Sequence, residues 1–190
     1  MVHVCEANAA LPPPEPPPAT LPDLAVAGHQ FEVGRFAREI GRMLGLPAQR
    51  LHCLYLGGII HDIGLVSVPP VILAKPAPLT VREFAIVKTH AEVGYAMLKN
   101  VPAPWPIAEI ARQHHERLDG SGYPCGLKGA EIMLEARIVA VADIVQAMLK
   151  PQPYRPAFSR LAVRDALRQE RGRRLDADVV DASIAALAAA

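Results

Sequence analysis

The sequence predicts an all-α protein of about six to seven helices packed around one core, and three observations carry that reading. Half of the 190 residues are hydrophobic (51%) but only 5% are aromatic, so alanine, leucine, isoleucine and valine supply most of the apolar surface. That mixture suits packed helices better than an aromatic-rich β-sandwich. Apolar residues recur at helical rather than alternating spacing, as in Val33, Phe36, Ile40 and Leu44. The stretches between such runs are rich in proline and glycine, which punctuate helices. A chain of this length forms one domain able to bury a sizeable core.

Residues 1–22 hold seven of the nineteen prolines and read as a polyproline or disordered tail or linker, leaving 23–190 as the folded domain. Asp23 is a suitable N-cap for a first helix reaching Leu44, stopped by Gly45 and Pro47. His29 shares its apolar stripe and faces the core. A second helix spans Pro47 to Asp62, with Leu51, Leu54, Tyr55 and Gly58 on the face of His61 and Asp62, while His52 points to solvent. Residues 65–79 carry four prolines and read as irregular. Thr80-Val81-Arg82-Glu83 is a capping box that starts a helix bearing Phe84, Val87, Ala91 and Gly94, with His90 beside that stripe. Pro102, Pro104 and Pro106 precede a helix from Pro106 to about Glu116 that turns His114 inward, with His115 adjacent. Asp119-Gly120-Ser121-Gly122-Tyr123-Pro124 is a dense turn sequence placed to form a pocket loop. A long apolar helix over 134–149 contains Asp143. Two further helices follow, capped by Ser159 and Asp176.

Bulk charge and cysteine usage narrow the function. A net charge of +1 offers no basic stripe for a nucleic-acid polymer. The Arg164–Arg174 cluster is broken by Asp165 and Glu170 and reads as a solvated helix face. Cys5, Cys53 and Cys125 lack metal-ligand spacing, which fits a reducing, cytoplasmic setting. No signal peptide and no membrane-length apolar run is visible.

The chemistry lies in the histidines. Five of the seven, His29, His61, His90, His114 and His115, fall on or beside apolar helical stretches, as do Asp62 and Asp143. A lone core histidine is more often structural than a ligand. A carboxylate inside an apolar helix, however, needs a partner, and a histidine or a metal would serve. Imidazoles and carboxylates without thiolate suit iron, manganese or zinc. The set is too large for one ion and matches two ions bridged by one aspartate, the arrangement that clamps both oxygens of a phosphoryl displacement. Asp62 is the expected bridge. His29, His61 and Asp143 are expected around one ion, and His90, His114 and His115 around the other.

Taken together, His61-Asp62-Ile63-Gly64, Lys88-Thr89-His90, His114-His115-Glu116-Arg117, the Asp119–Pro124 turn and Val141-Ala142-Asp143 resemble the HD-GYP family, a branch of the HD phosphohydrolases. The likeness runs from His29 to the C-terminus. It implies a compact HD-type helical bundle with a bi- or trinuclear metal site in its core, and metal-dependent hydrolysis of cyclic di-GMP to linear pGpG or GMP. By motif position the metal ligands fall on His29, His61, Asp62, His90, His114, His115 and Asp143, with His61 and Asp62 central to catalysis. Substrate contacts fall on Gly122, Tyr123, Pro124 and Arg155. The implied cofactors are two divalent transition-metal ions, iron or manganese ahead of zinc. The implied partners are cyclic di-GMP, a diguanylate cyclase domain or other signalling protein, and a second copy of the chain in a homodimer.

The departures from the family pattern are specific. Leu65 stands where the family has a lysine expected at the substrate phosphate, Gln152 replaces an arginine, and Gln146 replaces an aspartate. Ala25 occupies the position of the glutamate found in trinuclear members, which implies two ions rather than three. The metal shell is nearly whole and the phosphate shell is thinned, so reduced activity is expected. The competing readings are a catalytically weak binding or docking module of the same fold and an HD phosphohydrolase acting on another nucleotide.

Overall fold

Every apolar-periodic stretch becomes a helix in the computed structural model, which describes residues 21–151 and 156–189, with side chains from residue 28 onward. The order is α1 (Leu21–Met43), α2 (Ala48–Ile60), a single-turn α3 (Pro70–Leu73), α4 (Val81–Lys88), α5 (His90–Leu98), α6 (Ile107–Gln113), α7 (Leu134–Leu149), α8 (Arg160–Glu170) and α9 (Ala177–Ala189). Short 3-10 turns at Ile63–Ser67 and Gly129–Glu131 complete the set. Among the described residues there is no strand, only two isolated bridges, Asp119 with Lys128 and Arg171 with Leu175.

Local chemistry sets the ends. Thr80 and Glu83 form the reciprocal capping box, with Oγ1 of Thr80 accepting from the Glu83 amide at 3.2 Å. Ser159 Oγ caps α8 through the Ala162 amide, and Asp176 Oδ1 accepts from Asp178 and Val179 at the start of α9. Gly45 takes a φ of 70° just past α1, a left-handed conformation that costs glycine little. α1 begins at Leu21, ahead of the Asp23 cap the sequence suggested; Pro22 is tolerated in a first turn, where its missing amide hydrogen has no partner to lose.

Two places differ from the periodicity. The irregular segment after Asp62 contains a 3-10 turn and α3, whose Pro70 occupies the first helical turn. The helix expected to run unbroken from Thr80 is split at Thr89, where Oγ1 of Thr89 donates to the Ile86 carbonyl at 2.7 Å and the chain restarts at His90. His90, at the restart, is buried.

α1 packs against α2, α7 and α9, and α5 packs against α6 and the 3-10 turn after Asp62. α7 is apolar nearly all round; Ala136, Ile138, Val139, Val141, Ala142 and Val145 are buried, the pattern of a central helix. His52 is exposed, as expected, and stacks on Trp105 with ring centroids 5.8 Å apart. Among the described residues no helix is long and apolar enough to cross a membrane. The proline-rich stretch 1–20, Gln152 and Arg155 lie outside the described residues, as does the side chain of Ala25.

Gly64 shows how tightly the site region is built. A Cβ there would collide with the backbone carbonyl of His90, which cannot give way without moving α5. Gly64→Ala should therefore cost about 3 kcal/mol through overpacking. Gly28→Ala, on α1 with nothing within 4 Å, should instead gain about 0.5–1 kcal/mol. Urea denaturation of both variants checks the contrast; equal effects would contradict the packing argument.

Candidate metal centre

Three helix termini converge on Asp62. His61 continues the end of α2, His90 opens α5 and His114 follows α6; all three rings are buried. Each places Nδ1 against the carbonyl three residues earlier: His61 on Gly58 at 2.7 Å, His90 on Val87 at 2.6 Å and His114 on Ala111 at 2.9 Å. A carbonyl only accepts, so Nδ1 must carry the hydrogen, and in a neutral ring Nε2 is left as a lone pair.

Those lone pairs point at one another. Nε2 of His90 and Nε2 of His114 are 3.4 Å apart. Asp62 stands among them with its two oxygens divided: Oδ2 is 3.1 Å from His61 Nε2, while Oδ1 is 3.3 Å from His90 Nε2 and 3.5 Å from His114 Nε2. His61 Nε2 is buried without a well-formed hydrogen bond, although the Asp62 Oδ2 lies 3.1 Å away. On the far side, Asp143 from α7 places Oδ1 3.0 Å from His29 Nε2 and 3.9 Å from His61 Nε2. His115 packs on His114 at 4.0 Å between centroids.

Two ligand groups result. His29, His61 and Asp143 form one, and Asp62, His90, His114 and His115 the other; within each, the ligand atoms lie within 4.8 Å of one another. The histidines and Asp143 are grouped as the sequence reading placed them, with Asp62 falling in the second group. Facing lone pairs around a shared carboxylate are unfavourable unless a proton or cation lies between them, and the mixed nitrogen–oxygen donor set fits a transition-metal ion.

The electrostatics of the groups differ. Burial pushes Asp62 up, but His61, His114 and His90 together hold its carboxyl well below the usual range. Asp143 is likewise held low, against its burial, by His29 and His61. Burial pulls His114 down, and burial with the His114 and His90 neighbours pulls His115 well down, so both stay neutral. For His61, burial is outweighed by Asp62 and Asp143, and its value rises to about 9.

The loop after α6 is fastened to the same helix end. Glu116 is buried, and its carboxylate accepts from the amides of Cys125 at 2.7 Å and Leu127 at 3.1 Å. Gly122 is pressed so closely onto Glu116 and Arg117 that a side chain would strike their backbone. Asp119 Oδ1 accepts from the Ser121 amide, closing the turn. Tyr123 consequently stacks on His115, with centroids 4.6 Å apart and planes 26° from parallel. Pro124 follows it in the loop. Sequence reasoning quoted Glu116 only as part of a motif; an acid directly after two ligands and before a glycine-rich turn was the available signal for a tether. Lys88, whose ammonium lies over the Phe84 and Tyr123 rings, was also passed over.

Fold and site together define a helical bundle with a buried histidine–aspartate ligand set. The family model of the HD domain matches residues 16–179. The chain belongs to the HD domain family, and its ordered motifs place it in the HD-GYP branch. It is 40% identical over 154 residues to the 3′3′-cGAMP-specific phosphodiesterase 1 of Vibrio cholerae, covering 80% of this chain and 36% of that protein. It is 41% identical over 145 residues to the cyclic di-GMP phosphodiesterase response regulator RpfG of Xanthomonas campestris pv. campestris, covering 75% of this chain and 38% of that one. The chain thus spans little more than a third of the length of these curated relatives. Its fold is similar to that of Bd1817, an HDG"Y"P protein from Bdellovibrio bacteriovorus, with a TM-score of 0.72 at 18% identity over 87% of this chain and 53% of that one.

The raised value of His61 makes a prediction about loading. At pH 7.5 the metal-free His61 is protonated, so filling the His29–His61–Asp143 group must expel a proton. Apparent affinity there should rise about tenfold per pH unit from 6.5 up to about 9 and then level off. In the metal-free fold the sign is opposite: the His61 contribution to stability is complete below 6.5 and is lost as pH rises through about 9. Calorimetry of manganese binding in buffers of different ionisation enthalpy measures the released proton, and zero release would contradict the assignment.

Proposed function

We propose that this chain is a metal-dependent phosphodiesterase acting on a 3′,3′-cyclic dinucleotide, cyclic di-GMP first, and yielding linear pGpG and then GMP. The observation that carries the reading is the divided carboxylate of Asp62, with one oxygen toward His61 and the other toward His90 and His114. His29, His61 and Asp143 would hold one iron or manganese ion, His90, His114 and His115 the other, and Asp62 would bridge them. Bound there, a pair of such ions supplies Lewis acidity and lowers the pKa of water toward neutrality. The chain's own residues set the rest. The Nδ1 anchors fix each ring so that no reorientation is needed when substrate arrives, and the low values of His114 and His115 keep their lone pairs available. Tyr123, between Gly122 and Pro124, offers an apolar face at the rim on which a base can lie.

The names of two relatives, a cyclic di-GMP and a 3′3′-cGAMP phosphodiesterase, support the cyclic-dinucleotide class and make cGAMP the competing substrate. Metal-reconstituted protein should contain about two ions per chain. Asp62→Ala should lose both together, by elemental analysis; loss of one alone would remove the bridging role. Chromatography of a reaction time course should show pGpG before GMP, and the same assay with cGAMP ranks the two substrates. No turnover of either would favour the docking-module reading.

Leu65 and Gln152 favour that alternative, and of the two Leu65 lies among the described residues. It is half-buried in the 3-10 turn after Asp62 and can neither donate a hydrogen bond nor carry charge. Reduced turnover is the proposed consequence. Leu65→Lys should raise kcat/KM about tenfold, equivalent to about 1.4 kcal/mol, in paired kinetics at equal metal occupancy. An unchanged near-zero rate would count for the module.

A further inference from the structure

We infer that Lys88 is the residue that meets a phosphate of the substrate in this chain, a positioning role that rests on the phosphodiesterase reading above. Lys88 ends α4, just before the break that turns His90 into the site. Its ammonium lies 5.4 Å from the centroid of Phe84 and 5.7 Å from that of Tyr123. The two rings meet edge-to-face at 6.2 Å, and Tyr123 stacks in turn on the ligand-group residue His115. The ammonium is thus anchored at the rim of the ligand groups through a continuous chain of rings.

Its hydrogen-bonding capacity is uncommitted. Nearby, Lys75 pairs with Glu83 at 2.7 Å and Arg112 with Glu92 at 3.0 Å, while the Arg117 guanidinium donates to the backbone carbonyls of His114 at 3.1 Å and Glu116 at 2.8 Å. No carboxylate among the described residues pairs with Lys88. Aromatic faces attract an ammonium but accept none of its three N–H groups as strongly as an anionic oxygen would. A cyclic dinucleotide carries two phosphodiester anions, and a metal pair can neutralise the one being cleaved. The other then needs a cation, and Leu65 supplies none. Phe84 is 46% exposed, an unusual state for a large ring, and leaves the approach to Lys88 open on that side.

The test compares Lys88→Met, which keeps the stem and removes the charge, with Lys88→Arg, which keeps the charge, both in metal-loaded protein. Expected for Lys88→Met is a rise in KM for cyclic di-GMP of about tenfold or more with kcat within about threefold, the pattern of a contact made equally in ground and transition states. The Kd for inorganic phosphate should rise in parallel, Lys88→Arg should retain most of both, and metal content and melting temperature should stay unchanged. A KM and a phosphate affinity within twofold of the parent, or a loss that tracks metal content instead, would overturn the proposal. Phosphate binding reads Lys88 even if the parent protein turns over no cyclic dinucleotide. A failure of the substrate reading is therefore separable from a failure of this one.

Discussion

Three imidazoles donate Nδ1–H to the carbonyl three residues earlier in the chain, and the site is arranged around what that leaves over. Once those hydrogens are committed, the Nε2 atoms of His61, His90 and His114 face inward, and all three are within 3.5 Å of Asp62. Ligand direction is therefore set by helix geometry, not by tertiary contacts at the site. The tertiary fold has a simpler task, which is to bring three helix ends to one carboxylate. The dense packing of Gly64 on α5 and the central, largely buried course of α7 accomplish it.

The two ligand groups differ in their charge at neutral pH. Around Asp62 the carboxylate is ionised and His114 and His115 are neutral, the state a cation requires. Around Asp143 a proton on His61 takes the cation's place. The site thus has one half prepared for an ion and one half in which an ion competes with hydrogen ions, although both halves use the same residue types.

Much of this was legible in the sequence, for identifiable reasons. The helices follow from the 3.6-residue period, and their caps at Thr80, Ser159 and Asp176 are local chemistry that needs no tertiary knowledge. All seven expected ligands come together, because a polar residue on an apolar stripe has few places to go except the interior. The break between α4 and α5 was not legible. Phe84, Val87, Ala91 and Gly94 keep one period across it, and the interruption reflects the approach of Gly64 to His90 from a distant part of the chain. Lys88 was missed for a related reason. A lysine ending a helix reads as solvated until the fold places two rings beneath it.

Glu116 has a consequence that reaches beyond holding a loop. It follows His114 and His115 directly, and its carboxylate grips the segment carrying Tyr123 by two amides. The candidate ligand residues and the loop carrying Tyr123 are therefore fastened directly to one another. A shift of the imidazoles, from whatever cause, must be delivered to the rim as a shift of the tyrosine ring. The outer edge of the site is thereby coupled to the position of the imidazoles beneath it.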